Sequence, residues 1–170
     1  FSWKEFLIFK NQKLKVEYEN DKLNIIGSGE AFFQNKSDQI EYDIVKKNNE
    51  IKFQTKLKIF KNPFQIDLFN YRKNQDSKLT LNFVGNKIIN EKMVLNEISL
   101  KEKNKIIKFE KLILSKKNKI DDLSNINIDY IDKDGLENNL RLLKKENDYL
   151  VFGKSININS LIDELVDSEN

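Results

Sequence analysis

The sequence predicts an all-β protein: a long, curved antiparallel meander sheet, open and groove-like in the manner of a β-taco, with a short C-terminal helix. Three observations predict it. Apolar and polar side chains alternate with a period of two, the connectors are short and rich in Asn, Asp and Gly, and one stretch alone has helical spacing. Alternation is typical of strands with one buried face. Short connectors join antiparallel neighbours, because a parallel return needs a crossover of about a dozen residues.

The segment IKFQTKLKI, residues 51–59, shows the alternation most clearly. Its apolar residues and Thr55 fall on one face of a strand, and its lysines and Gln54 fall on the other. This is the pattern of a half-buried strand. The same pattern predicts six further strands, at residues 14–18, 40–44, 64–68, 79–83, 126–130 and 140–142.

Two irregularities are predicted within strands. In IIKFEKLIL the apolar residues change parity after Phe109, which predicts a β-bulge near Glu110 or Lys111. Gly27 and Gly29 in IIGSGEA superficially suggest a phosphate-binding loop, but the full GxGxxG pattern and a following Gly-Lys-Ser/Thr are missing. We therefore expect a bulge or a close approach of another group at a strand end.

Residues 1–170 are interpreted as one β-rich segment, with a sheet over 1–158 and a short helix over 159–167. Asn159 or Ser160 can cap this helix, which would cover one end of the sheet. The apolar stripe of the helix would consist of Leu161, Ile162, Leu165 and Val166.

The chain is expected to be part of a longer protein, since it begins at Phe1, in the middle of an apolar pattern, rather than at Met. No stretch approaches the roughly 18 consecutive apolar residues of a membrane-spanning helix. No secretory signal pattern is present either. We therefore expect any anchor or export signal to lie outside this segment.

The basic composition gives little support for a nucleic-acid partner. The net charge is +3, and Arg72 and Arg141 are the only arginines among 30 basic residues. Nucleic-acid-binding proteins typically use arginine or a basic stripe interleaved with aromatic residues, whereas lysine here alternates with Glu, Asp and Asn. We expect a solvated, lysine-rich sheet face and no nucleic acid.

Catalytic, metal and cofactor sites are not expected. The chain has no Cys and no His, which excludes thiol nucleophiles, Ser-His-Asp relays and imidazole zinc sites within it. The adjacent acids Asp121–Asp122 and Asp163–Glu164 are interpreted as solvent-facing rather than as acid-base pairs. We predict a protein that is not an enzyme.

The apolar face of the predicted sheet needs a cover. A barrel or a sandwich would bury it in a closed core, whereas an open sheet would leave a trough for a lipidic ligand or a partner. With one Pro and five Gly, the chain has few residues for sharp closure, so an open sheet is possible. The residues predicted to line the trough are Phe53, Leu57, Ile59, Phe64, Ile66, Leu68, Leu81, Phe83, Ile128 and Leu142.

The closing segment NDYLVFGKSININSLIDELV has an aromatic-rich strand followed by a Leu-Ile stretch. It resembles the end of the AsmA-like C-terminal domain of large envelope proteins of Gram-negative bacteria, which has the pattern Y-x-x-x-G-x-S-h-D before a helix. Asn157 stands where that pattern has Asp. Residues 63–85 and 125–142 also resemble this family, so the similarity extends over roughly the whole chain. The matching residues are Tyr149, Gly153, Ser155, Leu161 and Ile162.

The resemblance implies a periplasmic segment of an inner-membrane-anchored protein in the AsmA, TamB and YhdP-like group, which is built of repeating β-groove units. It implies a non-catalytic function in phospholipid transport between the inner and outer membranes and in outer-membrane biogenesis. The expected partners are phospholipid acyl chains and adjacent β units of the same chain. The alternative is a structural or scaffolding module with a closed core and no ligand.

Overall fold

A computed structural model describes residues 8–33 and 36–159. Within these residues it contains thirteen strands and one 3-10 turn, and no helix is long and apolar enough to cross a membrane. The predicted helix 159–167 lies outside the described residues, apart from Asn159. The strands are β1 (Ile8–Glu19), β2 (Lys22–Phe33), β3 (Lys36–Lys47), β4 (Glu50–Ile59), β5 (Gln65–Ile66), β6 (Tyr71–Arg72), β7 (Leu79–Ile88), β8 (Met93–Glu102), β9 (Lys105–Leu114), β10 (Ile120–Asp122), β11 (Asn125–Ile131), β12 (Glu137–Lys145) and β13 (Asp148–Ser155).

Ten strands form one antiparallel sheet in the order β1-β2-β3-β4-β7-β8-β9-β11-β12-β13. The short β10 pairs with the end of β9, and β5 and β6 form a separate two-stranded ribbon. The large sheet does not close into a barrel, so β1 and β13 are its two edges within residues 8–33 and 36–159. The predicted all-β antiparallel meander is therefore confirmed.

Tight turns connect most neighbours in the sheet. The turn between β1 and β2 consists of Asn20 and Asp21, whose φ angles are 50° and 59°. Asn48, between β3 and β4, also has a positive φ of 52°. Two-residue hairpin turns require this left-handed region, which Asn and Asp tolerate better than most residues. The polar connectors thus fold as the sequence predicts.

The sheet has two chemically different faces. Its apolar face carries Leu57 and Ile59 of β4 together with their cross-strand partners Leu81 and Leu79 of β7. The charged face carries the alternate residues, for example Lys56. Because residues that face each other across antiparallel strands lie on the same side of a sheet, the registers extend both faces from β1 to β13.

The strand predicted at residues 64–68 is wrong. The structure has a two-residue strand there, Gln65–Ile66, followed by a 3-10 turn at Asp67–Phe69 that ends at Asn70, where φ is 49°. Phe64 and Ile66 pack onto the core of the large sheet instead of joining its ladder. The alternation of apolar residues at 64–68 therefore belongs to the β5–β6 ribbon, which lies on the large sheet.

The backbone of β9 is irregular at Lys111, near the predicted position, but the predicted β-bulge is wrong, because the register of β9 with β8 does not shift there. The φ of Lys111 is 52°, and the neighbour of β9 changes there, since residues up to Glu110 pair with β11 and residues from Ile113 pair with β10. Phe109 lies opposite Ile98 and Leu112 lies opposite Leu95, so β8 changes parity at Asn96 where β9 changes parity at Lys111. The parity change seen in the sequence thus keeps apolar residues on one face.

Gly27 and Gly29 lie in the middle of β2 rather than at a strand end, so that part of the prediction is wrong. The predicted close approach is confirmed. The Tyr42 ring lies against Gly27, and the Gln12 side chain lies against Gly29, where any Cβ would clash with them. Tyr42 Oη in turn donates a hydrogen bond to Gln12 Oε1 at 3.2 Å.

Candidate functional site

One end of the apolar face is covered by residues 60–78, which we call the strap. It connects β4 to β7 and contains β5, the 3-10 turn and β6. The Tyr71 ring meets the Tyr130 ring edge-on, with 5.7 Å between centroids, and the Phe69 ring packs on Phe109 at 5.9 Å. The strap therefore reaches from β4 across the sheet to β11.

The strap is anchored in the middle by Glu102 of β8, which is completely buried. Its carboxylate accepts hydrogen bonds from Tyr71 Oη at 2.7 Å, from the Asn74 N–H at 2.7 Å and from the Ser77 hydroxyl. Burial would raise the pKa of Glu102, but these hydrogen bonds and Lys105 outweigh it and lower the pKa below its ordinary value. Glu102 is therefore an ionised anchor beneath the strap.

The first residues of the strap are held by Asp38 of β3. Its carboxylate accepts hydrogen bonds from the Phe60, Lys61 and Asn62 N–H groups at 2.8, 2.9 and 3.2 Å. Asn62 Nδ2 adds another at 2.7 Å. Burial opposes ionisation of Asp38, but these donors prevail and lower its pKa.

The far end of the strap is held by the turn between β11 and β12. Tyr130 Oη donates to the Phe69 carbonyl, and the Lys133 N–H donates to the Asn70 carbonyl at 3.1 Å. Asn70 Nδ2 donates to Asp134 at 2.6 Å. Together with Asp38 and Glu102, this gives the strap three polar attachments along its length.

Most of the predicted trough residues lie in or on this packed end. Four of them are buried core residues, and three belong to the strap itself, where they are half-buried. The core residues are Leu57, Ile59, Leu81 and Ile128, and the strap residues are Phe64, Ile66 and Leu68. Phe53, Phe83 and Leu142 are the three predicted residues that lie half-buried on the sheet outside this core, and Phe83 borders it.

Beyond the strap, the same face carries a set of half-buried apolar side chains, which we call the open strip. Its inner row follows the registers from β2 to β9, with Phe53 facing both Ile44 and Gly85. None of its members belongs to the buried cluster or to the half-buried residues packed against that cluster. The open strip consists of Leu23, Ile25, Ile44, Ile51, Phe53, Met93, Leu95, Leu112 and Leu114.

Gly85 leaves room for Phe53 within the inner row. A Cβ at Gly85 would be 2.9 Å from Phe53 Cζ and closer still to the Val94 carbonyl oxygen. The absence of a side chain therefore lets the Phe53 ring lie against Gly85 of β7. The row is continuous across β4, β7 and β8 for this reason.

Two lysines interrupt the outer row of the open strip. Lys46 of β3 and Lys87 of β7 both face Ile51 of β4, so the two ammonium groups flank one apolar side chain on the same face. Both are exposed. Neither forms a salt bridge with a carboxylate of the described residues.

Sequence reasoning placed Phe53 in the trough but missed most of the open strip. Ile25 lies in a glycine-containing segment, and Leu95 lies beside an extra residue, Asn96, at which the β7–β8 register shifts. The sequence signals that could have located these residues were the alternation around Gly27 and the parity change near Lys111. Which apolar residues the strap covers could not be derived from alternation, because covered and uncovered residues alternate in the same way.

Some lysines of the charged face form ion pairs. Lys108 contacts Glu97 at 3.2 Å and Glu110 at 2.5 Å, and its hydrogen bond to Glu110 is the main reason that its pKa is raised. Lys58 pairs with Glu41 in the same way. A shallow depression of about 650 Å³ on this face, between β1 and β4, is lined by charges of both signs. Paired charges of both signs do not favour a polyanionic partner.

No group of three or more acidic residues that could hold a metal ion occurs within residues 8–33 and 36–159. Comparison with known proteins found no matching family model, curated protein or solved structure. The resemblance to the AsmA-like domain therefore stays a prediction.

Proposed function

We propose that the chain binds phospholipid acyl chains on the open strip and acts as a non-catalytic segment of a lipid-carrying envelope protein. The observation that carries the proposal is a continuous apolar row that the strap leaves uncovered. Half-buried apolar side chains on a sheet face that no described element covers are typical of a surface that receives a partner or a ligand.

The dimensions of the open strip suit an acyl chain. From β2 to β9 the row crosses six neighbouring strands, and five spacings of about 4.8 Å give about 24 Å. One leaflet of a bilayer has a hydrocarbon depth of about 15 Å, half of the roughly 30 Å core. The row is therefore long enough for one acyl chain to lie across the strands.

The two lysines in the outer row supply charge complementarity. Lys46 and Lys87 flank Ile51, next to the inner row, so a phosphate group near Ile51 would have one ammonium group on each side. Ammonium groups bind phosphate as point charges. The proposed ligand therefore has an apolar chain and an anionic headgroup.

Binding to such a strip needs no covalent chemistry. Burial of each methylene stabilises a bound chain by about 0.8 kcal/mol when it is complete, and by less on an open surface. Partial burial gives modest affinity and lets a chain move along the row. This behaviour suits the transport between inner and outer membranes, in the periplasm, that the family resemblance implies.

A structural module is the second candidate, and the strapped end favours it. Ile59, Leu79 and Leu100 form part of a packed, buried core. If the open strip is covered in the same way by another segment or by adjacent β units, the whole chain would serve as a scaffold.

The two candidates differ in the effect of substitutions on lipid binding. Ile44→Ser removes an apolar side chain from the open strip, and Val45→Ser is the matched control, since it removes a half-buried β-branched side chain from the opposite face at the next residue. A phospholipid with one pyrene-labelled acyl chain serves as the probe. We expect Ile44→Ser to weaken binding about tenfold, equivalent to about 1.4 kcal/mol, and Val45→Ser to leave it unchanged. Equal effects of the two variants, or no binding by the unaltered chain, would contradict the proposal.

A further inference from the structure

The strand β1, at one edge of the described sheet, has a charge pattern that reverses at its middle. The segment KLKVEYE, residues 13–19, has two lysines before Val16 and two glutamates after it. Because side chains alternate along a strand, all four charges lie on one face and the apolar side chains lie on the other. The charged residues are Lys13, Lys15, Glu17 and Glu19, and the apolar residues are Leu14, Val16 and Tyr18.

The regular part of β1 is centred on the same residue. The register of β1 with β2 is continuous from Lys13 to Glu19. A register shift at Asn11, whose φ is 51°, precedes this part of the strand, and the β1–β2 turn follows it. Val16 is therefore the middle of the straight edge as well as the point at which the charge changes sign.

The hairpin with β2 determines which main-chain groups of β1 are free. Its two-residue turn makes Glu19 and Lys22 a hydrogen-bonded pair. Hydrogen-bonded pairs recur at every second residue along the strand. The N–H and C=O groups of Leu14, Val16 and Tyr18 therefore point away from β2, and the side chains of these residues are exposed.

We propose that β1 pairs antiparallel with β1 of a second copy of this chain, about a two-fold axis at Val16. In this register Val16 faces its own copy and Leu14 faces Tyr18, so the outward main-chain groups find partners. On the other face every lysine lies opposite a glutamate of the second copy. The four cross-strand ion pairs are two each of Lys13–Glu19 and Lys15–Glu17.

Neighbouring registers of the same two strands place like charges together. Outward main-chain groups must face one another, so the strands can slip only by two residues at a time. A slip in one direction places Lys15 opposite its own copy, and a slip in the other direction places Glu17 opposite its own copy. Like charges that face each other across strands are destabilising. The register centred on Val16 is therefore the one that the charges select.

The charges determine the register more than the affinity. Lys15 already contacts Glu17 of its own strand at 2.7 Å, whereas neither Lys13 nor Glu19 forms a salt bridge within the described residues. Exposed ion pairs contribute about 0 to 1 kcal/mol each. Main-chain hydrogen bonds and the apolar contacts around Val16 would hold the two strands together, as in other cases of strand addition to a sheet edge.

The other edge strand, β13, has no comparable pattern. Its register with β12 is continuous from Asp148 to Gly153 and shifts at Lys154. The continuous part contains one charged residue, Asp148. Pairing of β13 with itself therefore gains no ion pair there, and pairing of β13 with β1 would leave most of the charges of β1 without a partner.

The proposed axis also lies on the inner row of the open strip. Val16 faces Ile25, the first residue of that row. Since residues that face each other across antiparallel strands lie on the same side of a sheet, the inner rows of the two copies would meet at Val16. They would form one apolar row across seven strands of each copy. A use of this joined row by lipid rests on the proposed function, whereas the pairing itself does not.

Charge reversal tests the register. Lys13→Glu with Lys15→Glu makes all four edge charges negative, and Glu17→Lys with Glu19→Lys makes all four positive. Sedimentation equilibrium of the unaltered 20.2 kDa chain, at up to about 100 μM and without lipid, should show a dimer, since small interfaces dissociate in the micromolar range. Each charge variant alone should have a dimer dissociation constant at least about tenfold higher. An equimolar mixture of the two variants should dimerise again.

Lys116→Glu with Lys117→Glu is the matched control. It makes the same change in net charge as the negative variant, but at exposed residues of the turn between β9 and β10, and it should leave the dimer unchanged. Recovery in the mixture also shows that both charge variants are folded. A monomeric unaltered chain, charge variants that dimerise alone, a mixture that stays monomeric, or an equal loss of the dimer in the control would each overturn the proposal. Because lipid is absent, a failure of lipid binding does not affect this result.

Discussion

The strapped end and the open strip occupy the same face of the same strands, yet one is a closed core and the other is not. On β4, Ile59 is 2% exposed beneath the strap, whereas Ile51, eight residues earlier on the same face, is half-buried at the open strip. Alternation along the strand places both side chains on one face. What distinguishes them is an irregular segment fixed by Asp38, Glu102 and the β11–β12 turn.

The largest expected difference is in the free energy of unfolding of Ile59→Ala and Ile51→Ala. A buried Ile→Ala change costs about 2 to 5 kcal/mol, because it removes transfer energy and leaves a cavity. We expect about 3 kcal/mol at Ile59 and about 1 kcal/mol at Ile51, measured by urea unfolding. Similar losses at both sites would show that the open strip is covered as firmly as the strapped end.

Removing the charge of the central anchor should have the next largest effect. Glu102→Gln retains the shape of the side chain but weakens the hydrogen bonds from Tyr71, Ser77 and Asn74, which are charge-assisted in the native protein. Hydrogen bonds to charged groups contribute about 1.5 to 3 kcal/mol, so we expect a loss of about 2 kcal/mol. Proteolysis within residues 60–78 should accelerate in parallel. Unchanged cleavage would mean that Glu102 does not hold the strap.

Acid should loosen the strapped end before it affects the apolar contacts of the open strip. Asp132 is a buried carboxylate in the β11–β12 turn, where it accepts hydrogen bonds from the Asp134 and Leu136 N–H groups. Burial opposes ionisation of Asp38, Glu102 and Asp132, but the hydrogen bonds to each carboxylate outweigh it, so the pKa values of all three are lowered in the folded chain. A lowered folded pKa contributes stability that is present above the unfolded pKa and is lost as pH falls through the folded value. For Glu102, this loss begins below its ordinary value of 4.5.

Unfolding measured from pH 7 to pH 3 checks this pH dependence. We expect the contribution of these three carboxylates to the free energy of unfolding to be constant between pH 7 and pH 5 and to decline below pH 5. Glu102→Gln should show a shallower decline than the unaltered chain. A parallel decline in the two proteins would exclude Glu102 as a source of the acid sensitivity.

The smallest effect is expected on the charged face. Lys58 pairs with Glu41, whose side chain is about half exposed, and exposed ion pairs contribute about 0 to 1 kcal/mol. Glu41→Gln should therefore reduce the free energy of unfolding by less than about 1 kcal/mol. A much larger loss in urea unfolding would show that the charged face also has a structural cover.

The sequence predicts strands well where one face is buried and the other is solvated. Residues 51–59 alternate regularly, and the corresponding strand β4 extends over Glu50–Ile59. β13 gave no such signal, because Tyr149 to Phe152 are apolar on both faces. β8 was obscured by the extra residue Asn96, which changes the parity between Leu95 and Ile98.

The candidate site could be predicted only in part. Apolar alternation placed Leu57 and Phe53 on one face, which the registers confirm. Alternation could not show that Leu57 is buried and Phe53 only half-buried. The strap that buries Leu57 is held by polar contacts between residues far apart in the chain. Asp38, for example, binds Asn62, and no local pattern in the sequence indicates that pair.

A phospholipid with a photoactivatable diazirine in one acyl chain tests the central claim most directly. After illumination and peptide mass spectrometry, we predict cross-links to the open strip, at Ile44, Phe53 and Leu95, and none to Ile107 beneath the strap or to Val45 on the charged face. Cross-links at Val45 or beneath the strap, or no cross-links in the described strands, would contradict the assignment of the open strip as the lipid-binding surface.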